Sequence, residues 1–348
     1  MATGIISTGT FLLGPSWLSW ALLAAAAAGL VVLAAALVTR LVFFRPSVAA
    51  DIQAPDRVFG FFTITAGLDV LGVRLALAGH PLATAILAGV AAALWLVLTY
   101  GVPASLLLTR AQGSVLGGVN GSWLLWIVAT QSLSVTAAIL VPAWPSQAAL
   151  LAPVAAGLWC VGLLLYLMIV TLILLRWLTV PMTPATLGPT YWILMGATAI
   201  SVLAGARDLG LPADIPLVRA TAGFVEGFTF ALWAFGTWWI PLLVILGLWR
   251  HIRRHWPLTY EPTLWSVVFP LGMYSVATLT FGKAAHLAFM EPLARFMLWV
   301  AVAAWVLVAA AFVTRLARPP EEPAPETPAP SSGTAAPHDM TTTEKERP

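Results

Sequence analysis

The sequence predicts an all-α membrane protein in which about ten transmembrane helices form five helical hairpins. Composition is the first reason. Of 348 residues, 60% are apolar and 9% are charged, a balance that the polar surface of a water-soluble domain does not allow. The second reason is that the apolar runs reach the ~20 residues needed to cross a hydrocarbon core of ~30 Å. The third is that Gly, Pro and charged residues separate these runs.

Nine apolar runs are long enough to span a bilayer. Backbone groups cannot stay unpaired in hydrocarbon, and runs of this length indicate helices rather than the shorter strands of a barrel. A tenth apolar stretch, Met1–Leu13, is too short to span alone. It is either half of a span or the end of a helix that begins before the given start. The nine runs cover residues 17–44, 57–79, 82–104, 122–142, 147–176, 190–209, 220–250, 263–289 and 293–316.

The composition changes near residue 318. The segment that follows is rich in Pro, Glu, Thr, Ser and Ala and cannot bury a core. We therefore expect residues 1–317 to form one transmembrane domain, with a first helix that is shortened at its start. We expect residues 318–348 to form a disordered cytoplasmic tail.

The distribution of basic residues predicts the orientation. Cytoplasmic loops carry an excess of Arg and Lys, so the richer side is expected inside, together with both chain termini. An Arg-rich and Ala-rich composition suggests a bacterial protein, and hence a multi-pass protein of the bacterial inner membrane. The richer side carries Arg40, Arg45, Arg57, Arg110, Arg176, Arg250, Arg253, Arg254, Arg315 and Arg318, and the poorer side carries Arg74, Arg207, Arg219, Lys283 and Arg295.

The usual catalytic and metal-binding patterns are missing from the sequence. It contains no phosphate-binding loop with its Lys, no histidine pair of the zinc-binding H-E-x-x-H kind, and no paired aspartates of the kind that hold Mg²⁺. The single cysteine, Cys160, allows neither a disulfide nor a metal-binding pair. A net charge of +3 is too small to indicate a nucleic-acid partner. The sequence therefore predicts a protein that is not an enzyme, needs no cofactor or metal, and has the lipid bilayer as its main partner.

With Met1–Leu13 counted as the first of ten spans, weakly polar residues recur on the odd-numbered spans. Ala, Leu and Val dominate the even-numbered spans. On the first complete odd span, Thr63, Gly67, Val70 and Arg74 form a stripe along one helix face. Two interpretations stay open. Small and hydroxyl residues let transmembrane backbones pack closely, or these side chains line a weakly polar lumen. The later odd spans carry Thr130, Gln131, Ser134, Gly196, Thr198, Ser201, Ser275 and Thr278.

Few ionisable residues lie inside the predicted spans. Charges in a membrane are costly, so each one there is a candidate for function unless it reaches the interface. Arg207 and Asp208 lie at a span end, where an interfacial position explains them. Asp69 and Glu226 lie deeper, and either could form an ion pair or carry a proton.

Four groups of residues, taken in order and spacing, resemble the tellurite-resistance/dicarboxylate transporter family, which includes bacterial TehA, the yeast malate permease and sulfite pump, and the plant slow anion channels. The resemblance covers about residues 1–316. In the family the first helix begins before the residues that match Met1–Ser7. The four groups are Met1-Ala2-Thr3-Gly4-Ile5, Asn120-Gly121-Ser122-Trp123 running into Ala129-Thr130-Gln131-Ser132, Tyr191-Trp192 with Met195-Gly196-Ala197, and Trp265 with Phe269-Pro270-Leu271-Gly272.

The resemblance implies a pore. In the family, five hairpins surround a central pore of pseudo-fivefold symmetry, the odd helices line it, and three protomers associate, each with its own pore. An aromatic gate in the ninth helix matches Phe269, and Pro270 after it would kink the helix. With the polar stripes, the implied pore-lining candidates are Thr3, Gly4, Ser7, Thr63, Gly67, Thr130, Gln131, Ser134, Thr198, Ser201 and Thr278.

The sequence thus favours transport of small anions or organic acids through a gated pore. The resemblance implies dicarboxylate, sulfite, tellurite, halide or nitrate as the class of substrate, and a homotrimer as the assembly. A passive channel and a proton-coupled transporter stay open, since Asp69 and Glu226 are the only deep titratable candidates. The alternatives are a polytopic membrane enzyme that acts on lipid-linked substrates and a membrane scaffold that transports nothing.

Overall fold

The computed structural model describes residues 1–108 and 115–317, which contain eleven α-helices and no strand. The predicted all-α fold is confirmed. Nine of the described segments are long and apolar enough to cross a membrane, and α1 is a tenth, shorter apolar helix. The helices are α1 (Ala2–Leu13), α2 (Ser16–Phe43), α3 (Arg45–Gln53), α4 (Phe62–Leu77), α5 (Pro81–Leu108), α6 (Leu125–Leu140), α7 (Ala148–Thr179), α8 (Ile193–Asp208), α9 (Pro216–Leu248), α10 (Trp265–Ala284) and α11 (Met290–Ala317).

All α-helices except α3 pair as five antiparallel hairpins: α1–α2, α4–α5, α6–α7, α8–α9 and α10–α11. The first helices of the hairpins form an inner ring, since α1 contacts α4, α4 contacts α6, α6 contacts α8, α8 contacts α10, and α10 contacts α1 again. We call α1, α4, α6, α8 and α10 the inner helices and their partners the outer helices. The short α1 therefore takes the same place as the four longer inner helices.

Burial separates the two sets of helices. The inner helices α6 and α8 are buried along almost their whole length. The outer helices expose large apolar side chains instead, such as Leu108, Leu178 and Leu307. Outer helices that expose many large apolar side chains are typical of a protein surrounded by lipid hydrocarbon rather than water.

Short 3₁₀ turns lead directly into four of the inner helices, at Val58–Phe61, Gly121–Leu124, Pro189–Trp192 and Pro262–Leu264. The second turn is capped by Asn120, whose Oδ1 accepts a hydrogen bond from the backbone N–H of Ser122 at 2.7 Å. A methyl group on Gly121 would overlap the carbonyl of Thr190, so only glycine lets the turns before α6 and α8 pack together. These turns include several of the residues on which the family resemblance depends.

The sequence patterns did not predict α3, because nine residues with two charged side chains do not stand out from a loop. Its Asp51 accepts hydrogen bonds from Arg40 at 2.6 Å and from Arg57 at 3.2 Å. The bond from Arg40 is the main reason why the pKa of Asp51 lies below its usual value. This network ties the end of α2 to the chain that enters α4.

Some sequence predictions fall on residues outside the described ranges. They include the disordered tail at 318–348 and the cytoplasmic positions of Arg110 and Arg318. The predicted orientation of the bundle also stays a prediction.

Candidate functional site

A small cavity lies at the centre of the inner ring, and all five inner helices contribute to its wall. Its volume of about 20 Å³ gives room for roughly one water molecule. Most of the wall is apolar, and only four of its residues carry a polar side chain. The wall consists of Ile5, Thr8, Asp69, Val70, Val73, Ser132, Val135, Ile200, Leu203, Arg207, Met273 and Val276.

Asp69 provides the acidic group of the cavity. Its side chain is 0% exposed. Its Oδ2 accepts a hydrogen bond from Ser132 Oγ at 2.7 Å, and its Oδ1 accepts one from Thr136 Oγ1 at 3.2 Å. Both hydroxyls belong to α6, so they fix the carboxyl group of α4 against the neighbouring inner helix.

Arg207 provides the basic group. It lies in the last turn of α8, and its buried Nε has no hydrogen-bond partner. Among the residues that the structure describes, no carboxylate oxygen lies within 4.0 Å of its guanidinium. A cation that lines a cavity without an ion pair is free to attract an anion from solution.

Asp208 follows Arg207 but does not line the cavity, because successive residues of a helix point in directions about 100° apart. Its side chain is buried, and neither carboxylate oxygen has a hydrogen-bond partner among the described residues. The sequence predicted interfacial positions for Arg207 and Asp208. Both residues lie in the last turn of α8, so their position relative to the membrane interface stays a prediction. The sequence did not indicate that Arg207 also lines a cavity.

Phe269 lies one helical turn before Met273 on α10, and residues four apart share a helix face. The Phe269 side chain is 0% exposed. The next residue, Pro270, packs against Gly196 of α8, where a methyl group would come within 2.8 Å of the proline ring. The helix α10 continues on both sides of the proline without interruption. By helix geometry Phe269 shares the face of α10 that carries Met273 and Val276, but it is not part of the cavity wall.

Residues 1–313 match the family SLAC1, described as voltage-dependent anion channel. This chain belongs to that family. The resemblance found in the sequence is thereby confirmed, and the chain is a multi-pass membrane protein of an anion transporter or channel family.

Several curated proteins are similar to this SLAC1-family chain. An uncharacterized membrane protein of Mycobacterium tuberculosis is 48% identical over 153 residues, which are 44% of this chain and 77% of the relative. Two uncharacterized transporters of Methanocaldococcus jannaschii are more distant. One is 22% identical over 274 residues, 78% of this chain and 76% of the relative, and the other is 24% identical over 149 residues, 43% of this chain and 42% of the relative.

Of the two deep acidic candidates, only Asp69 reaches the centre of this SLAC1-family bundle. Glu226 is exposed on the outer helix α9 and does not line the cavity. Its depth in the membrane stays a prediction, and depth does not determine which face of a helix a residue occupies. An outward-facing glutamate cannot exchange a proton with a solute at the axis.

The structure places none of the eleven small or hydroxyl candidates on the cavity wall. Most of them contact an outer helix instead, which agrees with the close-packing interpretation. As the lining of a wider, open pathway they stay a prediction. Three threonines accept a hydrogen bond from a tryptophan indole N–H of an outer helix: Thr3 from Trp305, Thr130 from Trp95 and Thr278 from Trp233. Three other side chains donate to a backbone carbonyl of an outer helix: Ser7 to Ser19, Gln131 to Trp159 and Ser134 to Ala155.

Within the described ranges, the remaining five candidates have no side-chain hydrogen bond to an outer helix. Thr198 and Ser201 donate to the carbonyls of Met195 and Ala197 on their own helix. Thr63 is exposed at the start of α4. A methyl group on Gly4 would meet Val70, and one on Gly67 would meet Leu30.

The sequence search missed most residues of the cavity wall because it looked for polar side chains, whereas the wall is mainly Val, Ile, Leu and Met. The spacing of the wall residues along the sequence could have identified them. All five inner helices contribute a pair three residues apart, the repeat of one helix face; on α4 the pair is Val70 and Val73. The other four pairs are Ile5 and Thr8, Ser132 and Val135, Ile200 and Leu203, and Met273 and Val276. Asp69 of α4 and Arg207 of α8 complete the wall.

Proposed function

We propose that the chain conducts small anions along the axis of the inner ring, through a pathway that is closed in this conformation. The observation that carries the proposal is the central cavity, which all five inner helices enclose and whose wall contains the unpaired guanidinium of Arg207. Membership of the SLAC1 family supports the same conclusion. A space for about one water molecule does not let an anion pass, so conduction requires the inner helices, or the side chains between them, to move.

The two charges of the wall have opposite effects on an anion. At an effective dielectric constant of 20, a unit charge at 4 Å contributes about 4 kcal/mol, so Arg207 attracts the anion and an ionised Asp69 repels it by comparable amounts. Their combination prevents the tight binding that would trap an anion at the centre. Conduction needs binding that is strong enough for entry and weak enough for release.

The apolar part of the wall sets a second requirement. An anion that passes Val, Ile, Leu and Met side chains must lose part of its hydration shell, and a narrow apolar constriction closes by excluding water. We propose that Phe269 is the gate and that Pro270 fixes its direction through the contact with Gly196. Full burial of the ring one turn from the cavity supports this assignment.

The wider assignments follow from the family and the charge distribution. We propose that the substrate is a small inorganic anion or organic acid, and that three protomers associate, each with its own pathway. We also propose that the protein lies in a bacterial inner membrane with both termini in the cytoplasm, with residues 1–317 as the transport domain and residues 318–348 as its tail. The exposed apolar faces of the outer helices provide surface for both lipid and neighbouring protomers.

Anion flux in proteoliposomes tests the proposed function. The purified chain is reconstituted, and efflux of chloride, nitrate, sulfite, malate and tellurite is compared with that from protein-free vesicles. We expect flux of at least one anion, and a lower flux of that anion through the Arg207→Gln variant. If no anion crosses faster than in protein-free vesicles while the reconstituted protein keeps its melting temperature, the proposal is contradicted.

A further inference from the structure

A turn rich in arginine and tryptophan closes the end of α9. Residues Trp249–Arg253 form a single π-helical turn after the last α-helical residue, Leu248. The turn is held by two backbone hydrogen bonds, from Arg254 N–H to the Trp249 carbonyl at 3.0 Å and from Trp256 N–H to the Arg250 carbonyl at 3.1 Å. The chain is thereby wound so that three arginines lie within one compact segment.

The three arginines are not equivalent. Arg250 is buried, lies 3.5 Å from a carboxylate oxygen of Glu261, and has its guanidinium 5.5 Å from the ring centre of Trp256. It therefore holds the segment together. Arg253 and Arg254 are exposed and have no carboxylate within 4.0 Å among the described residues. These two cations remain available to an anion from outside.

Large apolar side chains are exposed beside these cations. Ile252 is 65% exposed and Leu258 is 81% exposed. In water such exposure would be unfavourable, whereas at the boundary between headgroups and acyl chains both side chains would lose contact with water. The two tryptophans of the segment, Trp249 and Trp256, are also of a residue type that is enriched at the membrane interface.

The length of α9 places this segment at the membrane surface. Its 33 residues extend for about 50 Å, while the hydrocarbon core is ~30 Å thick. The helix is therefore about 20 Å longer than the hydrocarbon is thick. Because charges are costly inside the hydrocarbon, we infer that the arginine-rich turn after Leu248 lies at the level of the lipid headgroups. A cation pair, exposed apolar side chains and interfacial tryptophans are found together at this one level.

We propose that Arg253 and Arg254 bind the phosphate of an anionic phospholipid headgroup, while Ile252 and Leu258 insert into the acyl boundary of the same leaflet. Arg254 contributes from a fixed position, because its guanidinium lies 5.1 Å from the ring centre of Trp249. The site is separate from the cavity wall and does not depend on the proposed anion pathway.

Lipid titration of the purified full chain in detergent tests this site. Native mass spectrometry measures the apparent Kd for phosphatidylglycerol and for phosphatidylcholine. We expect phosphatidylglycerol to bind more tightly, and the Arg253→Gln/Arg254→Gln variant to lose about thirtyfold in its affinity, since each basic residue near an anionic surface contributes a factor of about five. Both residues are exposed, so the variant should keep the wild-type melting temperature.

The matched control is Arg219→Gln/Lys283→Gln, which removes the same net charge from two exposed residues in the first turn of α9 and the last turn of α10. We expect this variant to bind phosphatidylglycerol as the wild type does. The proposal is overturned if both variants lose the same affinity for phosphatidylglycerol, or if Arg253→Gln/Arg254→Gln loses none. It is also overturned if inorganic phosphate displaces the lipid at an equal concentration of phosphate groups.

Discussion

Asp69 of α4 and Ser132 of α6 are joined by a hydrogen bond of 2.7 Å between Oδ2 and Oγ, and both side chains line the central cavity. The bond links two neighbouring inner helices at the point where a permeating anion would pass. Ser132 Oγ also lies 2.8 Å from the Ala129 carbonyl oxygen, and Thr136 Oγ1 lies 2.8 Å from the Ser132 carbonyl oxygen. Each hydroxyl therefore has a second acceptor if the carboxyl group changes its charge.

The Asp69→Asn variant tests the effect of the buried carboxyl group on flux. An ionised carboxylate repels an anion in the cavity, so its protonation should raise flux as the pH falls. We expect Asp69→Asn to show high flux that varies little with pH, at a stability cost of about 1 kcal/mol. The measurement is anion flux against pH in proteoliposomes.

Asp208→Asn is the matched control for this variant, because Asp208 is also buried on an inner helix but does not line the cavity. Its flux should follow the pH profile of the wild type. A wild-type pH profile for Asp69→Asn would show that the carboxyl group does not influence the permeating anion.

The Arg207→Gln variant should reduce anion flux by about tenfold or more. The reason is the loss of the basic group of the cavity wall, whose attraction is worth several kcal/mol at short range. Arg219→Gln removes an equal charge from an exposed position in the first turn of α9 and should leave flux unchanged. Equal reductions in the two variants would mean that overall charge, rather than the cavity wall, controls flux.

If Phe269 is the gate, the Phe269→Ala variant should raise anion flux by about tenfold, equivalent to lowering the barrier by ~1.4 kcal/mol, because the proposed constriction is removed. It should also lower the free energy of unfolding, by up to ~3–5 kcal/mol, since the ring is fully buried.

Phe281→Ala separates these two effects. Phe281 lies on the same helix and is 1% exposed. It is twelve residues from Phe269, about 120° around the helix, so it lies on a different helix face. We expect it to lose similar stability without a gain of flux. If both variants lose stability and neither gains flux, Phe269 is a packed core residue and the gate lies elsewhere.

The Gly121→Ala variant tests the packing of the turns that precede α6 and α8. A methyl group there would overlap the Thr190 carbonyl, so we expect a large fall in melting temperature or failure to fold. Gly117→Ala is the control, since a methyl group at Gly117 meets no atom within 4 Å. Similar melting temperatures for both variants would contradict the observed packing of the two turns.

The sequence predicted the architecture better than the site. Apolar runs of sufficient length are a direct consequence of the bilayer, so the spans and hairpins could be counted from them. The cavity wall could not be found in the same way. Its apolar residues, such as Val135 and Val276, look like any other transmembrane residue, and only the contacts between helices distinguish the inner face.

Polar residues were informative only where their helix face was also known. Asp69 was recognised because a charge within a span is costly, and it lies at the centre. Glu226 satisfied the same criterion but is exposed on an outer helix, and the span-end position of Arg207 did not indicate that it lines the cavity. Several of the hydroxyl candidates, such as Ser134, mark contacts with outer helices, whereas the hydroxyl residues of the cavity wall, Thr8 and Ser132, were not among the candidates.

The central claim is that the permeating anion passes through the cavity enclosed by the five inner helices. The most direct test is the effect of a charged thiol reagent on flux through Val276→Cys, prepared in a Cys160→Ala background because Cys160 is exposed. We predict that modification of Val276→Cys stops anion flux, whereas modification of Leu307→Cys on the outer face of α11 leaves it unchanged. Unchanged flux after complete modification of Val276→Cys, verified by mass spectrometry, would contradict the account.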